Sequence, residues 1–282
     1  MITLKNVSYG YRRRQKVLSE ITLSFDEGHI HGLLGCNGVG KSTLLKLICG
    51  LLTPHTGQIA VNGADPQTHS VQMLSQLFFV PEEISLPALS IRRFAHITAP
   101  FYPNFSVADF NSYCAALEVD DSVRLDKLSM GQRKKAYIAF ALACNTPLLL
   151  LDEPTNGLDI PSKGVFRRLL SAYTTPERTV IIATHQVKEL ERLIDQVVIC
   201  DTQGIVLNTT VDRLSQRMLF GRLPQGVTPL YSEASLAGEI GVARNTTNND
   251  SALDLELLFN ATVRHRDEIA SILNDKNTSD HE

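Results

Sequence analysis

Apolar and polar residues alternate at Ile2-Thr3-Leu4 and again at Ile21-Thr22-Leu23-Ser24-Phe25, the period of two that turns one face of a strand toward a core. Gln58-Ile59-Ala60-Val61-Asn62-Gly63 repeats the alternation and stops in a turn, so an N-terminal antiparallel β layer is predicted. Three apolar runs, Ile30 to Leu34, Leu148 to Leu151 and Val180 to Ala183, each give way to polar or glycine residues. That is the pattern of fully buried parallel strands with functional loops at their carboxyl ends. Leu44, Leu45, Leu47 and Ile48 follow the first run at helical spacing, and Gly50 closes the helix. From about 83 to 145 the pattern turns to helix and loop, punctuated by Pro87, Pro100 and Pro103 and including an apolar helix from Gln132 to Ala143. It reads as a helical insertion. Beyond Gly204 the apolar density falls, and Leu253 to Leu273 carries one or two amphipathic stretches. The predicted organisation is one domain over 1–215 and a small C-terminal accessory region over 216–282, frayed from 274 onward.

Composition narrows the classes of function. With 282 residues, 43% of them hydrophobic, the chain can bury one substantial core, or one core plus a small appendage. A net charge of −3 supplies no broad basic field, so no nucleic-acid partner is expected. Five scattered cysteines show neither a disulfide framework nor metal-ligand spacing, which fits a reducing cytoplasm. The N-terminus opens directly into an alternating strand, without the charge and apolar stretch of a secretory signal. The apolar runs are far shorter than the about 20 residues that cross a bilayer, so a membrane role requires a partner chain.

Two motifs carry chemistry. Gly35-Cys36-Asn37-Gly38-Val39-Gly40-Lys41-Ser42 matches G-x-x-x-x-G-K-[ST] between a buried strand and a helix. In such a loop, around Gly35, Asn37, Gly38 and Gly40, backbone N–H groups wrap a phosphate at the positive end of the helix. Lys41 brings a full charge to the β- and γ-phosphates, Ser42 a hydroxyl for Mg²⁺, and Thr43 is a candidate contact for the α-phosphate. Leu151-Asp152-Glu153 places two carboxylates at the tip of a buried strand, where a charge pair is costly without a cation. Asp152 is then the metal partner of Ser42, and Glu153 stands where it can polarise a water.

Leu128-Ser129-Met130-Gly131-Gln132 resembles the L-S-G-G-Q signature of ATP-binding-cassette (ABC) ATPases, with Met130 departing from the usual Gly. Ser129 reads as the N-cap of the helix that follows, making a second anion site. The resemblance implies that Ser129, Gly131 and Gln132 serve the γ-phosphate of the ATP on another subunit. Pro154-Thr155-Asn156-Gly157-Leu158-Asp159 resembles the D-loop through which two cassettes sense each other, with Asp159 a candidate nucleotide contact, and His185 resembles the switch histidine that contacts the γ-phosphate. Tyr11 resembles the aromatic that stacks on adenine, with Tyr9 as the alternative. Val80-Pro81-Glu82-Glu83 departs from the family, which carries Gln at the joint with the helical insertion; Glu82 is the candidate third metal contact there.

The resemblance covers residues 1 to about 215. It implies an α/β fold: a phosphate-loop (RecA-like) core sheet, an antiparallel β layer, a helical signature subdomain and a small C-terminal extension. It also implies Mg²⁺-dependent ATP hydrolysis between two dimerised ATPase subunits, homologous or identical, driving a separate transmembrane permease. Location is then cytoplasmic, peripheral on the inner face of the cell membrane. The Pro-Glu joint, with Asp254 to Phe259, resembles ATPases of ABC-2-type exporters. The alternative is a soluble, non-transport ABC ATPase such as an assembly factor.

Overall fold

The computed structural model describes residues 1–12, 15–236, 238–247 and 250–274. The chain runs through β1 (Ile2–Tyr9), β2 (Leu18–Phe25), β3 (Ile30–Leu34), α1 (Lys41–Ile48) and β4 (Thr56–Val61). Next come α2 (Val71–Leu74), β5 (Leu77–Val80), α3 (Ile91–Thr98), α4 (Val107–Ala116) and α5 (Met130–Ala143). Then follow β6 (Leu148–Asp152), α6 (Ile160–Tyr173), β7 (Thr179–Thr184), β8 (Gln196–Asp201) and β9 (Gly204–Thr210). The last stretch holds α7 (Val211–Arg217), β10 (Met218–Gly221), β11 (Tyr231–Ser235), β12 (Gly238–Arg244), α8 (Leu255–Arg264) and α9 (Arg266–Asn274).

The expected α/β architecture is present. A six-stranded sheet has the order β5-β6-β7-β3-β8-β9, parallel except for the antiparallel pair β8-β9. Its central strands are buried on both faces, and their side chains alternate between two apolar cores. Leu33, Leu150 and Ile181 join one core with α1 and the three-stranded antiparallel layer β2-β1-β4. Leu34, Leu149 and Ile182 join the other with α5 and α6. This two-sided burial is why β6 and β7 carry unbroken apolar runs, and β3 one broken only by the buried His31 and by Gly32, whereas β2 alternates.

Between 83 and 145, α3, α4 and α5 enclose an aromatic cluster in which Phe94, Tyr102, Phe105 and Phe110 surround Phe140 at centroid distances of 5.0 to 6.4 Å. After β9 a second antiparallel sheet, β10-β12-β11, packs with α8 and α9. Its Met218, Val242 and Leu258 lie in the same apolar cluster as Ile199, Leu207 and Leu214, so the core continues without a break into the C-terminal region. Within the 216–282 region, residues 237, 248, 249 and 275–282 lie outside the described residues, and with them almost all of the frayed end expected from 274. The hydrophobic pattern alone does not mark β5, β8, β9 or the second sheet. β5 and β10, at four residues, give too few periods to separate from helix or loop, and no motif stands beside β8, β9, β11 or β12. Among the described residues no helix is long and apolar enough to cross a membrane.

Candidate active site

Because β6, β7 and β3 are parallel neighbours, the loops leaving their carboxyl ends converge. The phosphate loop follows β3, Glu153 follows β6 and His185 follows β7. Gly40 caps α1 with φ +105°, a conformation that glycine adopts freely, and a Cβ there would lie 2.8 Å from Leu18 Cδ2. Lys41 is buried and folds back over its own loop, donating from Nζ to the carbonyls of Gly35 (2.7 Å) and Cys36 (3.1 Å). Burial lowers its pKa, and the charges of Glu153 and Asp152 pull it back up.

Ser42 Oγ donates to Asp152 Oδ1 at 2.9 Å, joining loop and strand tip. Burial raises the Asp152 pKa; the Ser42 bond lowers it, and the nearby carboxylates of Glu82 and Glu153 raise it further. A cation would relieve that crowding. The donors are hard oxygens, one carboxylate and one hydroxyl, and no group of three or more His, Cys, Asp or Glu gathers as a metal cage among the described residues. That set fits Mg²⁺, which is commonly held by one or two carboxylates together with phosphates and water.

Glu153 is 4% exposed and sits in the left-handed backbone region at φ +44°. Its N–H donates to Ala183 O at 2.8 Å. Its carboxylate accepts from Thr184 Oγ1 at 2.7 Å on one oxygen, and from His185 N (3.0 Å) and Nδ1 (2.7 Å) on the other. Glu153 and His185 therefore form one unit. Glu82 accepts at 3.1 Å from Asn156 Nδ2, and Asn156 Oδ1 accepts from Gln186 Nε2 at 2.5 Å. The residue expected as a third metal contact is thus held by the loop after Glu153, and among the described residues no hydrogen bond joins it to Ser42 or Asp152.

The two candidate aromatics differ in access. Tyr9 is buried beside His55, whereas Tyr11 is 60% exposed, edge-on to Tyr9, with its hydroxyl 3.2 Å from Thr43 Oγ1. Only Tyr11 has an open ring face.

The signature residues stand apart from this cluster. Ser129 caps α5 in a reciprocal box: its Oγ accepts from Gln132 N at 3.2 Å, and Gln132 Oε1 accepts from Ser129 N at 3.3 Å. A Cβ on Gly131 would come within 2.4 Å of Gly157 O, so α5 rests directly on the loop 154–159. Asp159, expected as a nucleotide contact, caps α6 by accepting from Ser162 N at 2.8 Å and pairs with Lys135 Nζ at 3.3 Å. The Ser162 bond, with Lys135 adding to it, holds its pKa at about 2. Among the described residues no hydrogen bond links 129–132 to the phosphate loop.

The sequence reading gave no role to Thr184, Gln186 or Lys134. Lys134 is the least expected, being 2% exposed with its Nζ 2.8 Å from Glu153 O. Its signal was position: Lys134, Ile138 and Ala141 share one stripe of α5, and the other two are core residues.

The family model described as ABC transporter matches residues 18–156. A Streptomyces coelicolor protein that carries the name of an ABC transporter ATP-binding protein is 30% identical over 271 residues, 90% of this chain and 95% of its own length. The Bacillus subtilis linearmycin resistance ATP-binding protein LnrL is 26% identical over 291 residues, 100% of this chain and 91% of that one. The solved structure of an ATP-binding subunit of an ABC transporter matches with a TM-score of 0.66 and 26% identity, over 76% of this chain and 91% of that one.

Proposed function

The chain belongs to the ABC transporter family as an ATP-binding, ATP-hydrolysing subunit, and we propose that it hydrolyses ATP with Glu153 as the general base. The observation that carries this reading is the buried Glu153 carboxylate, fixed by Thr184 and His185 beside the Ser42–Asp152 pair. Lys41 would leave its loop carbonyls for the β- and γ-phosphates, and the amides of Gly38 and Gly40 would donate to the same group. Tyr11 would stack on adenine, and Thr43 lie by the α-phosphate. Ser42 and Asp152 would hold Mg²⁺, which when bound spreads charge off the β- and γ-phosphates. Glu153 then takes a proton from the attacking water, and His185 keeps the carboxylate aimed.

Ser129, Gly131 and Gln132 make no hydrogen bond to their own phosphate loop among the described residues and would serve the ATP of a second cassette. In this reading two chains, identical or homologous, close on two nucleotides and push a separate transmembrane permease through the helical insertion, at the inner face of the cell membrane. Export is the direction supported by the end-to-end alignment with a resistance ATP-binding protein.

The test is Glu153→Gln. Expected are unchanged ATP affinity, turnover lower by roughly 10²–10⁴, and an ATP-dependent shift to dimer on a sizing column. Hydrolysis at the parental rate would overturn the assignment of Glu153.

A further inference from the structure

We infer that Lys134 is a positioning residue for Glu153, tying the helix that carries the signature to the carboxylate that activates water. The inference rests on the role of Glu153 proposed above.

Lys134 lies one turn into α5, pointing inward with Ile138 and Ala141. Its ammonium group donates to the main-chain carbonyl of Glu153 at 2.8 Å in a buried setting. An ammonium so placed is costly unless charges of opposite sign surround it. Burial lowers the pKa of Lys134, while the carboxylates of Glu82, Glu153 and Asp152 act against that loss. The hydrogen bond has a further use. Glu153 is a non-glycine residue in the left-handed region, a conformation that persists only where the surroundings enforce it. Its N–H is tied to Ala183 O and its C=O to Lys134. Without the second tie the backbone can relax, and the carboxylate swings off Thr184 and His185.

The neighbouring lysine extends the pattern. Lys135 pairs with Asp159 at 3.3 Å, so two consecutive residues of α5 grip the two ends of the loop 153–159. Gly131 packs against Gly157 O in the middle of the same loop. Helix α5 and this loop therefore move as one piece. A nucleotide that engages Ser129 at the helix N-terminus in one half-site is mechanically connected, through Lys134, to Glu153 in the other.

The experiment compares Lys134→Met, of similar length without charge or donor, with Lys134→Arg, which retains both. Expected for Lys134→Met are kcat lower by about tenfold or more, with KM and the affinity for a fluorescent ATP analogue within about twofold of parental. Lys134→Arg should recover most of the loss. In a Glu153→Gln background, Lys134→Met should add less than about twofold in single turnover, because the two residues act as a unit. Should Lys134→Met fail to fold, Lys134→Leu, which likewise lacks the charge and the donor, is held to the same kcat and affinity criteria. Parental kcat, an affinity that falls in step with kcat, or a loss that multiplies with Glu153→Gln would each overturn the inference. A Glu153→Gln chain with parental turnover would instead sink the reading of the site; a slowed one alongside an unaffected Lys134→Met sinks this inference alone.

Discussion

Glu82 and a glutamine in its place differ by one charge, and the structure shows what that charge touches. Its oxygen accepts from Asn156, a bond that a glutamine carbonyl can replace, and its field is one of those that raise the Asp152 pKa. Glu82→Gln should therefore hydrolyse ATP at a rate equal to or above the parental one. A loss beyond about tenfold, some 1.4 kcal/mol of barrier, would show that the carboxylate takes part in the reaction. Single residues were legible in the sequence where chemistry demands a fixed spacing from a strand end, as at Lys41, Asp152, Glu153 and His185. Lys134 was not, because the burial of a lysine is decided by what packs over it. Asn156 and Gln186 were hidden for the same reason: their hydrogen bond spans thirty residues and depends on the convergence of two strand ends.

At the level of elements, the strands readable in advance were those long enough to show a period or flanked by a motif. β8 is an apolar run as long as β7, but nothing beside it marked a loop with chemistry, and β5, at four residues, is too short to show a period even with Glu82 just beyond it. Contacts between elements were legible only in part. Gly131 appeared as a signature residue; that it is the point where α5 rests on the loop 154–159 is visible only in three dimensions. Gly131→Ala would place a methyl 2.4 Å from Gly157 O and force the two elements apart. The expected outcome is ATP binding close to parental, since the phosphate loop is untouched, with turnover lower by more than about tenfold; unchanged turnover would contradict the packing argument. The strand β3 supplies a second case. His31 is fully buried, edge-on to Phe25 at 5.1 Å, with Nε2 donating to Asp26 O and Nδ1 without a partner. Burial lowers its pKa below the ordinary 6.5; the Asp26 bond and the Asp195 charge oppose this, and His29 adds to it. The unfolded chain then binds the proton more readily than the folded one. The stabilisation is full above about pH 6.5 and is lost as the pH falls below it toward the folded-state value. Urea midpoints should decline from pH 7 to 5.5, and less steeply in His31→Phe; equal slopes would assign the decline to other groups.

The whole molecule raises the question of where its cooperative unit ends. Falling apolar density suggested a boundary near 215, yet Met218, Val242, Leu255, Leu258 and Ile269 share one apolar cluster with Leu207 and Leu214 of the preceding elements. Each large buried apolar side chain contributes about 1.5–3 kcal/mol, so several together exceed the margin that most domains have to spare. Heating the full chain should give a single transition, and a chain ending at residue 215 should melt at least about 10 °C lower or fail to remain soluble. The C-terminal region also touches the site from behind. The N–H of Leu255, at the start of α8, donates to Glu191 Oε1 at 3.1 Å, and Glu256 pairs with Lys188, both within a few residues of His185. Removing 216–282 takes away the backing of the segment that follows His185, while α1, which carries the phosphate loop's lysine, packs in the other core, to which no residue of 216–282 contributes. Below its melting point the shortened chain should accordingly bind ATP but turn it over more slowly, by about fivefold or more, a factor worth roughly 1 kcal/mol. A shortened chain with the parental Tm and the parental kcat would make the region a separate appendage and leave the switch segment supported by the first 215 residues alone.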